Sequence, residues 1–210
     1  VQECYDLMFD AFDLADRYRN PVMLLGDGML GQMMEPVIFR KPDPGKNQGV
    51  EKPWALTGCA GREPNIVRSL LLADGALEAL NLQLQDKYKK AQQKEQRWEE
   101  YFLDDARIII VAYGVMARVA KNIVAQLRND GLRIGLIRPI SLWPFPVKAF
   151  EKRRKPALKY IVVEMSYGQM VEDVRLALEC KSEVSFFGRA GGGIPSEKEI
   201  VRKIKAISHG

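Results

Sequence analysis

Histidine is almost absent from this sequence, and cysteine is scarce. The 210 residues include one histidine, His209, and three cysteines. The sequence therefore offers no basis for a histidine-based catalytic triad or a histidine-ligated metal. Cys4, Cys59 and Cys180 lie far apart and form no C-x-x-C motif. This spacing argues against a disulfide framework or a cysteine-ligated cluster and favours a reducing cytoplasm.

Long hydrophobic runs and a signal peptide are also missing. The longest apolar run, Ile108 to Ala117, is about half of the roughly 20 residues that a membrane span needs. The N-terminal stretch VQECYDLMFD is acidic, unlike the basic start of a signal peptide. A net charge of +5 is mild and diffuse, so we expect neither nucleic acid nor a membrane as a partner. The composition predicts a cytoplasmic globular protein.

Common catalytic and nucleotide-binding motifs do not occur. The sequence contains no G-x-G-x-x-G and no Walker lysine loop, and Ser166 lacks the G-x-S-x-G elbow of a hydrolase. Gly114 after its strand is typical of a tight turn between a strand and a helix. The carboxylates at Asp27, Asp104, Asp105, Glu172 and Asp173 show no pairing suited to acid–base catalysis, so surface positions are expected for them.

Residues 1–40 are predicted to be the C-terminal end of an α/β domain. Apolar residues recur at helical spacing on two sides of the stretch from Val1 to Tyr18, and Asn20-Pro21 ends that helix. The apolar run VMLLG at 22–26 predicts a strand buried on both faces. Because one helix and one strand cannot form a core, we expect the rest of this domain to precede Val1.

Residues 41–104 are predicted to be a connector with a long helix. The stretch 42–64 is rich in proline and glycine, whereas the stretch from Ala76 to Phe102 contains neither. A helix over 76–102 would be about 40 Å long, with an apolar stripe at nearly heptad spacing. This helix is expected to lie across its own domain or a partner subunit, with a coiled-coil dimer seam as the alternative.

Residues 105–210 alternate between strand and helix patterns. Ser196 and Glu199 form a capping box that marks the start of the last helix. This alternation predicts an α/β fold with a mainly parallel sheet flanked by helices. The strands are predicted at 107–113, 132–137, 158–164 and 183–188, and the helices at 115–129, near Pro146, at 169–179 and after Ser196.

Ligands and partners of such sheets meet the carboxyl ends of the strands, where the stretch RPISLWPFP follows the second strand of this segment. Pro139, Pro144 and Pro146 stiffen this loop. The loop therefore holds Arg138 firmly at the strand end. Trp143 and Phe145 either plug the core or form an interface.

Two basic features leave alternatives open. In GRAGGGIP, Arg189 and the following glycines either form an anion-binding nest or a flexible entry to the last helix. The basic run between Lys148 and Lys159 either docks an acidic electron carrier or forms a solvated helix face, which is the commoner role of such runs.

Four long stretches carry a resemblance to a known family. They are NPVMLLGDGMLGQMMEP, GLIRPISLWPFP, IVVEMSYGQMVEDVR and FFGRAGGGIP, in this order. Their glycine, R-P-I and VVE features are similar to the C-terminal domain of transketolase-type thiamine enzymes. The longer wording resembles the alpha subunit of 2-oxoacid:ferredoxin oxidoreductases, most of all the 2-ketoisovalerate type. The resemblance is loosest over 40–104.

This resemblance implies a reaction and a set of partners. Such enzymes cleave a 2-oxoacid with thiamine diphosphate and Mg, pass electrons through iron–sulfur clusters to ferredoxin, and release acyl-CoA and CO2. The resemblance implies a beta subunit that binds thiamine diphosphate and iron–sulfur clusters, a gamma subunit, and a dimer of such heteromers. CoA is the co-substrate, and this chain alone is expected to hold none of the cofactors.

The resemblance also assigns the segments. Residues 1–40 correspond to the end of a pyrimidine-binding-type domain, 41–104 to the connector, and 105–210 to the transketolase C-terminal-like domain. The activating glutamate of the family lies upstream of these residues, so no catalytic or metal-binding residue is carried over. The site candidates are cleft or interface residues: Asp27 and Gln32 nearest the active-site cleft, Arg138, Trp143, Tyr167 and Gln169 facing a neighbouring subunit or domain, and Arg189 as an anion contact.

Two other functions remain open from the sequence. One is a transketolase-like domain of a thiamine-dependent 2-oxoacid dehydrogenase or synthase, which the electron acceptor distinguishes. The other is a stand-alone α/β module that binds an anion through GRAGGGIP and the basic run at 148–159.

Overall fold

A computed structural model of the protein describes residues 1–40 and 51–209. The chain falls into two units, Val1–Lys90 and Ala91–Gly210. The division predicted from sequence, at 40/41 and 104/105, stays a prediction. Residues 41–50 of the predicted connector lie outside the described residues.

The first unit begins with a helix and a segment that folds back along it. Helix α1 spans Gln2–Tyr18 and ends at Arg19, which adopts a left-handed conformation. The side chain of Gln2 accepts a hydrogen bond from the Ile38 amide at 2.7 Å and donates one to the Ile38 carbonyl at 3.2 Å. These contacts fix the returning segment against α1.

The predicted strand at 22–26 is wrong. Residues 21–27 have no regular secondary structure, and a short 3-10 helix, Leu30–Gln32, follows them. A strand exists only where a neighbour supplies a hydrogen-bonded ladder, and no described residue does so here. Met23 and Leu25 are therefore 79% and 65% exposed.

No residue of 1–40 or 51–90 is buried, although this unit is rich in apolar side chains. The unit thus leaves more apolar surface in water than a soluble domain usually does. The exposed large apolar side chains of residues 1–40 are Met8, Phe9, Phe12, Val22, Met23, Leu25, Met29, Met34, Ile38 and Phe39.

The predicted helix over 76–102 is wrong in its last third. Helix α2 spans Ala76–Lys94, and residues Trp98–Tyr101 form strand β1. Pairing overrides the helical pattern, because β1 lies antiparallel to a neighbouring strand and the amide of Arg97 donates to the Ser141 hydroxyl at 3.0 Å. No proline or glycine marks this change, since the competing interaction comes from a residue distant in sequence.

The second unit contains a five-stranded mixed sheet. Its other strands are β2 (Ile108–Val111), β3 (Ile134–Pro139), β4 (Lys159–Glu164) and β5 (Glu183–Gly188), in the spatial order β1-β3-β2-β4-β5. Strands β2 to β5 are parallel, and β1 is antiparallel to β3. The predicted mainly parallel α/β fold is confirmed, and β1 is the element that the sequence did not predict.

Helices cover both faces of this sheet. They are α3 (Gly114–Asn129), α4 (Lys148–Glu151), α5 (Met170–Ala177) and α6 (Glu197–His209). The central strands are buried on both faces, as their continuous apolar runs predict. One core cluster joins alternate residues of β2, β3 and β4 to α4 and α5, including Ile109, Val111, Ile137, Tyr160, Val162, Phe150 and Val174.

Gly135 in β3 occupies a position where no side chain fits. A Cβ atom on this residue would lie 2.6 Å from the Phe102 carbonyl oxygen and 2.7 Å from Leu103 Cδ2. Both contacts come from the segment between β1 and β2. The glycine thus allows this segment to cross β3 closely, which helps to hold β1 at the sheet edge.

Replacing Gly135→Ala is expected to destabilise the second unit by about 1–3 kcal/mol, the usual cost of adding atoms to a closely packed site. Urea unfolding of the full-length subunit, followed by tryptophan fluorescence, measures this change. Gly31→Ala is the matched control, because a Cβ there meets nothing within 4 Å. Equal stability of the two variants would contradict the close approach.

Candidate functional site at the carboxyl edge of the sheet

The carboxyl ends of the four parallel strands lie at one edge of the sheet. The loops at this edge follow Val111, Pro139, Glu164 and Gly188. Five of the predicted site residues lie on them or at a strand end: Arg138, Trp143, Tyr167, Gln169 and Arg189. The fold therefore brings these five to a common edge.

The two aromatic residues of the loop after β3 have different environments. Phe145 stacks on Phe150, with ring centroids 5.7 Å apart, and packs against the core. Trp143 instead leaves 57% of its surface exposed. Ser141 fixes the loop, because its hydroxyl donates to the Pro144 carbonyl at 2.7 Å and accepts from the Arg97 amide. Phe145 thus packs into the core, whereas Trp143 is exposed at the carboxyl edge.

Arg138 is paired within the chain. Its guanidinium lies 3.0 Å from the carboxylate of Glu99, its direct cross-strand neighbour on β1. Tyr101 donates to the same carboxylate at 3.0 Å, and Lys121 of α3 lies 3.3 Å away. Only 15% of the Arg138 side chain is exposed. The arginine therefore ties the edge strand to the sheet.

This environment shifts the pKa of Glu99. Partial burial raises the pKa, but the hydrogen bond and charge of Arg138, together with Tyr101 and Lys121, outweigh burial and hold the pKa below its ordinary value. A carboxyl whose pKa is lowered by folding stabilises the folded state above its unfolded pKa. That contribution is lost as the pH falls through the folded pKa.

Glu99→Gln is expected to lower the free energy of unfolding at pH 7 by up to about 1 kcal/mol, because the ion pair is partly exposed. The difference from the parent protein should shrink as the pH falls through the lowered pKa of Glu99, where the parent carboxyl also loses its charge. Urea unfolding between pH 3 and pH 7 tests this, with the exposed Glu151→Gln as the control. A difference that does not depend on pH would contradict the ion-pair account.

Glu164 is a structural residue of this edge that the sequence did not reveal. It is the last residue of β4 and only 1% exposed. Its carboxylate accepts hydrogen bonds from the amides of Gln169, Met170 and Val171 at 3.0–3.2 Å, and from the Ser166 hydroxyl at 2.7 Å. The charge therefore lies at the N-terminus of α5, where the helix dipole favours an anion.

A capping motif would not have identified this carboxylate. A helix cap usually stands immediately before the first turn, whereas Glu164 precedes α5 by six positions and reaches it from the strand end. The only signal is a single acidic residue that follows the apolar residues Ile161, Val162 and Val163 at the end of the strand. The role of Ser166 is also structural, because its hydroxyl donates a hydrogen bond to the Glu164 carboxylate.

The loop between β4 and α5 presents Tyr167 and Gln169 outward. Tyr167 is 83% exposed, and the side chain of Gln169 is exposed as well. The backbone of Gln169 donates to Glu164. A rigid internal anchor therefore supports two side chains that lie in solvent in this structure.

The glycine-rich loop is closed by contacts of its own. The Glu199 carboxylate accepts hydrogen bonds from the amide and hydroxyl of Ser196, at 2.9 and 2.6 Å, as the capping box predicts. These bonds hold the pKa of Glu199 below its ordinary value. Arg189 lies 3.5 Å from the same carboxylate. The first turn of α6 is thus supplied with a carboxylate from its own sequence, which favours the structural interpretation of GRAGGGIP.

The basic run at 148–159 is largely engaged inside the second unit. Lys148 donates to the Gln93 carbonyl at 2.6 Å, and Arg153 binds both carboxylate oxygens of Glu100. Arg154 donates to the Ala177 carbonyl at 2.8 Å, and Lys159 donates to the Ile207 carbonyl at 3.0 Å. Of this run, Lys148, Lys152 and Lys155 are exposed. Most of these cations therefore fasten neighbouring elements.

Asp27 and Gln32 belong to the first unit. The Asp27 carboxylate accepts a hydrogen bond from the Leu30 amide at 2.8 Å, which starts the 3-10 helix. Gln32 ends that helix, and its side chain is exposed. The structure gives Asp27 a local turn-forming contact.

Within residues 1–40 and 51–209, no three His, Cys, Asp or Glu side chains are placed so that they could share a metal ion. The three cysteines are free. In the same ranges, no helix is both long and apolar enough to cross a membrane.

Glu164→Gln is expected to lower the free energy of unfolding by about 1.5–3 kcal/mol, the range for hydrogen bonds to a buried charged group. The amide removes the charge and turns an NH2 group toward backbone donors. Urea unfolding of the full-length subunit measures the effect. Glu172→Gln is the control on the same helix, because the Glu172 side chain is 68% exposed. A loss no larger than that of the control would contradict the anchoring role.

Comparison with known proteins identifies relatives of nearly the whole chain. The ketoisovalerate oxidoreductase subunit VorB of Methanothermobacter marburgensis is 43% identical over 208 residues, which are 99% of this chain and 58% of VorB. The 2-oxoglutarate synthase subunit KorA of the same organism is 30% identical over 231 residues, covering 99% of this chain and 62% of KorA. The chain thus spans somewhat more than half the length of these relatives.

A solved structure shares the fold. It is described as 2-oxoglutarate:ferredoxin oxidoreductase from Magnetococcus marinus with 2-oxoglutarate, coenzyme A and succinyl-CoA bound. The match has a TM-score of 0.67 and 20% identity, and it covers 95% of this chain and 39% of the other.

A family model also matches the second unit. It is the pyruvate:ferredoxin oxidoreductase core domain II, which matches residues 106–200. The resemblance found in the four sequence stretches is thereby confirmed. The chain is similar to the VorB and KorA subunits over nearly its whole length, and its residues 106–200 match the pyruvate:ferredoxin oxidoreductase core domain II.

Proposed function

We propose that this chain works as part of a 2-oxoacid:ferredoxin oxidoreductase. The reaction is the CoA-dependent oxidative decarboxylation of a 2-oxoacid to acyl-CoA and CO2, with the two electrons passed to ferredoxin. The favoured substrate is 2-ketoisovalerate. The observation that carries this choice is the 43% identity to VorB over 99% of the chain, compared with 30% to KorA.

The proposed role of this chain is assembly and bracing of the active site. The carboxylates of Glu164 and Glu199 bind backbone amides at the N-termini of α5 and α6, and the carboxylate of Glu99 binds the Arg138 guanidinium. An edge whose charged groups are satisfied internally is suited to hold a fixed shape against a neighbour. Thiamine diphosphate, Mg and the iron–sulfur clusters would be held by other parts of the enzyme, in a beta and a gamma subunit, and would supply the carbanion and electron-transfer chemistry.

The exposed apolar surface of residues 1–40 supports the proposed domain assignment. Met34 and Ile38 are 98% and 82% exposed, and Met23 is 79% exposed. Such surface usually lies in an interface. In the proposed assignment, residues 1–40 complete a pyrimidine-binding-type domain, 41–104 form the connector, and 105–210 form the transketolase C-terminal-like domain.

The site residues then have two roles. Trp143, Tyr167 and Gln169 would contact a neighbouring subunit or domain, and Arg138 would keep the edge strand in place beside them. Asp27 and Gln32 would lie nearest the cleft that holds the cofactor, and Arg189 would be an anion contact of lesser weight. A dimer of heteromers in the cytoplasm is the proposed assembly.

The direct test is to purify the tagged full-length subunit from its own host with its partners. The eluate is then assayed for CoA-dependent viologen reduction with 3-methyl-2-oxobutanoate, pyruvate and 2-oxoglutarate, and separately for NAD reduction. Fastest viologen reduction with 3-methyl-2-oxobutanoate is expected. NAD reduction without viologen reduction would favour the 2-oxoacid dehydrogenase, and a lone colourless inactive protein would favour the anion-binding module.

Trp143→Ala and Arg138→Ala are expected to weaken assembly before they change the chemistry. Truncation of an aromatic anchor at an interface commonly costs about 2 kcal/mol, so subunit dissociation should increase roughly thirtyfold. Native mass spectrometry across a dilution series measures this, while turnover per intact complex is measured in parallel.

Leu176→Ala is the matched control, because Leu176 is 75% exposed on α5 and lies away from the carboxyl edge. It should leave assembly unchanged. Loss of turnover in a complex that remains intact would contradict the bracing role and assign Trp143 or Arg138 to the chemistry.

A further inference from the structure

Strand β5 forms an unpaired edge of the sheet. It pairs with β4, and no other strand of the described residues lies beside it. The amide of Arg189, directly after β5, donates to the Glu164 carbonyl of β4. Since successive amides of a strand point to opposite sides, the amides of Val184, Phe186 and Gly188 point away from β4. These groups are a template for a further strand.

The two edge strands of the sheet differ in how well they are protected from pairing with another strand. The opposite edge strand, β1, has four residues and carries Glu99 and Glu100 at its centre. Charges and short length are common ways to protect an edge from pairing. Strand β5 has six residues, with its one charge at Glu183 and two phenylalanines near its centre. Strand β5 therefore has neither the central charges nor the short length that protect an edge strand from pairing. This is expected where another segment covers the edge.

A groove of about 520 Å³ runs beside this edge. Its lining comes from β4, from β5 and from the C-terminal half of α6, and it includes Ile161, Ser185, Ala206 and Ile207. An unpaired strand next to a helix, with a groove between them, is the arrangement that accepts an extended peptide. The strand supplies backbone hydrogen bonds, and the groove accommodates alternate side chains.

The charge around the groove is mainly positive. Lys159 and Lys203 line it, and Glu183 is its one acidic residue. Lys205 lies on the same half of α6 but does not line the groove. An extended segment with acidic side chains at alternate positions would complement this lining.

We propose that the β5 edge and the groove beside α6 bind an extended acidic segment of a partner subunit, which adds a strand to the sheet. This inference relies on the proposed function only for the presence of partner chains. The binding surface is distinct from the carboxyl-edge loops, because it is built from the edge of β5 and the C-terminal half of α6.

A photo-crosslinking amino acid at Ser185 in the full-length subunit tests this proposal inside the purified complex. Ser185 lines the groove, and the same amino acid at Leu176 serves as the position control. Mass spectrometry of the adduct is expected to identify an acid-rich segment of another subunit. The readout needs no turnover, so its failure is distinguishable from failure of the activity assay.

Two charge reversals on α6 provide the matched comparison. Lys203→Glu is expected to lower the adduct yield roughly threefold or more, because an attraction becomes a repulsion. Lys205→Glu, which does not line the groove, should leave the yield within the error of the parent. If the label at Ser185 prevents assembly, the label is moved to Ala206, which is exposed and also lines the groove.

Three outcomes would overturn the proposal. They are the absence of a Ser185 adduct in an intact complex, an adduct with a neutral or basic segment, and an adduct with a second copy of this chain. Equal yields for Lys203→Glu and Lys205→Glu would overturn the charge complementarity, and with it the acidic character of the segment.

Discussion

Burial of the central strands on both faces is the constraint on which the second unit depends. Every residue of β2 is buried, as are residues 160–164 of β4. A strand that is buried on both faces excludes polar side chains from its centre, so these side chains lie at the strand ends. The charged side chains that follow or close these strands therefore collect at the carboxyl edge. There Glu164 and Arg138 satisfy backbone and cross-strand partners. The rigidity of that edge follows from the burial beneath it.

The sequence predicted the parts of the fold that depend on local pattern. The apolar runs, the turns and the capping box at Ser196 specified four strands and the helices between them, and the structure confirms them. The sequence failed where a distant partner decides the outcome. Residues 98–101 follow a helical pattern yet pair with β3, and residues 22–26 follow a strand pattern yet find no neighbour among the described residues.

The candidate site was predictable to the same extent. Loop positions at the strand ends located Trp143 and Tyr167, because topology alone fixes which ends coincide. Their partners were not predictable. The pairing of Arg138 with Glu99 depends on the position of β1 beside β3. The anchoring role of Glu164 depends on hydrogen bonds to the start of α5, which lies six positions later in the sequence. The family resemblance supplied the reaction, which no side-chain pattern in this chain specifies.

In the proposed enzyme, the carboxyl edge is a preformed contact surface for a neighbouring subunit or domain. Hydroxyl-radical footprinting of the purified complex tests this most directly, because tryptophan and tyrosine report their own solvent exposure. Trp143 and Tyr167 are 57% and 83% exposed in the chain alone. The account predicts that both are protected from oxidation in the complex and become reactive when its subunits are separated. Oxidation of both in the intact complex, at the rate of exposed residues, would contradict the account.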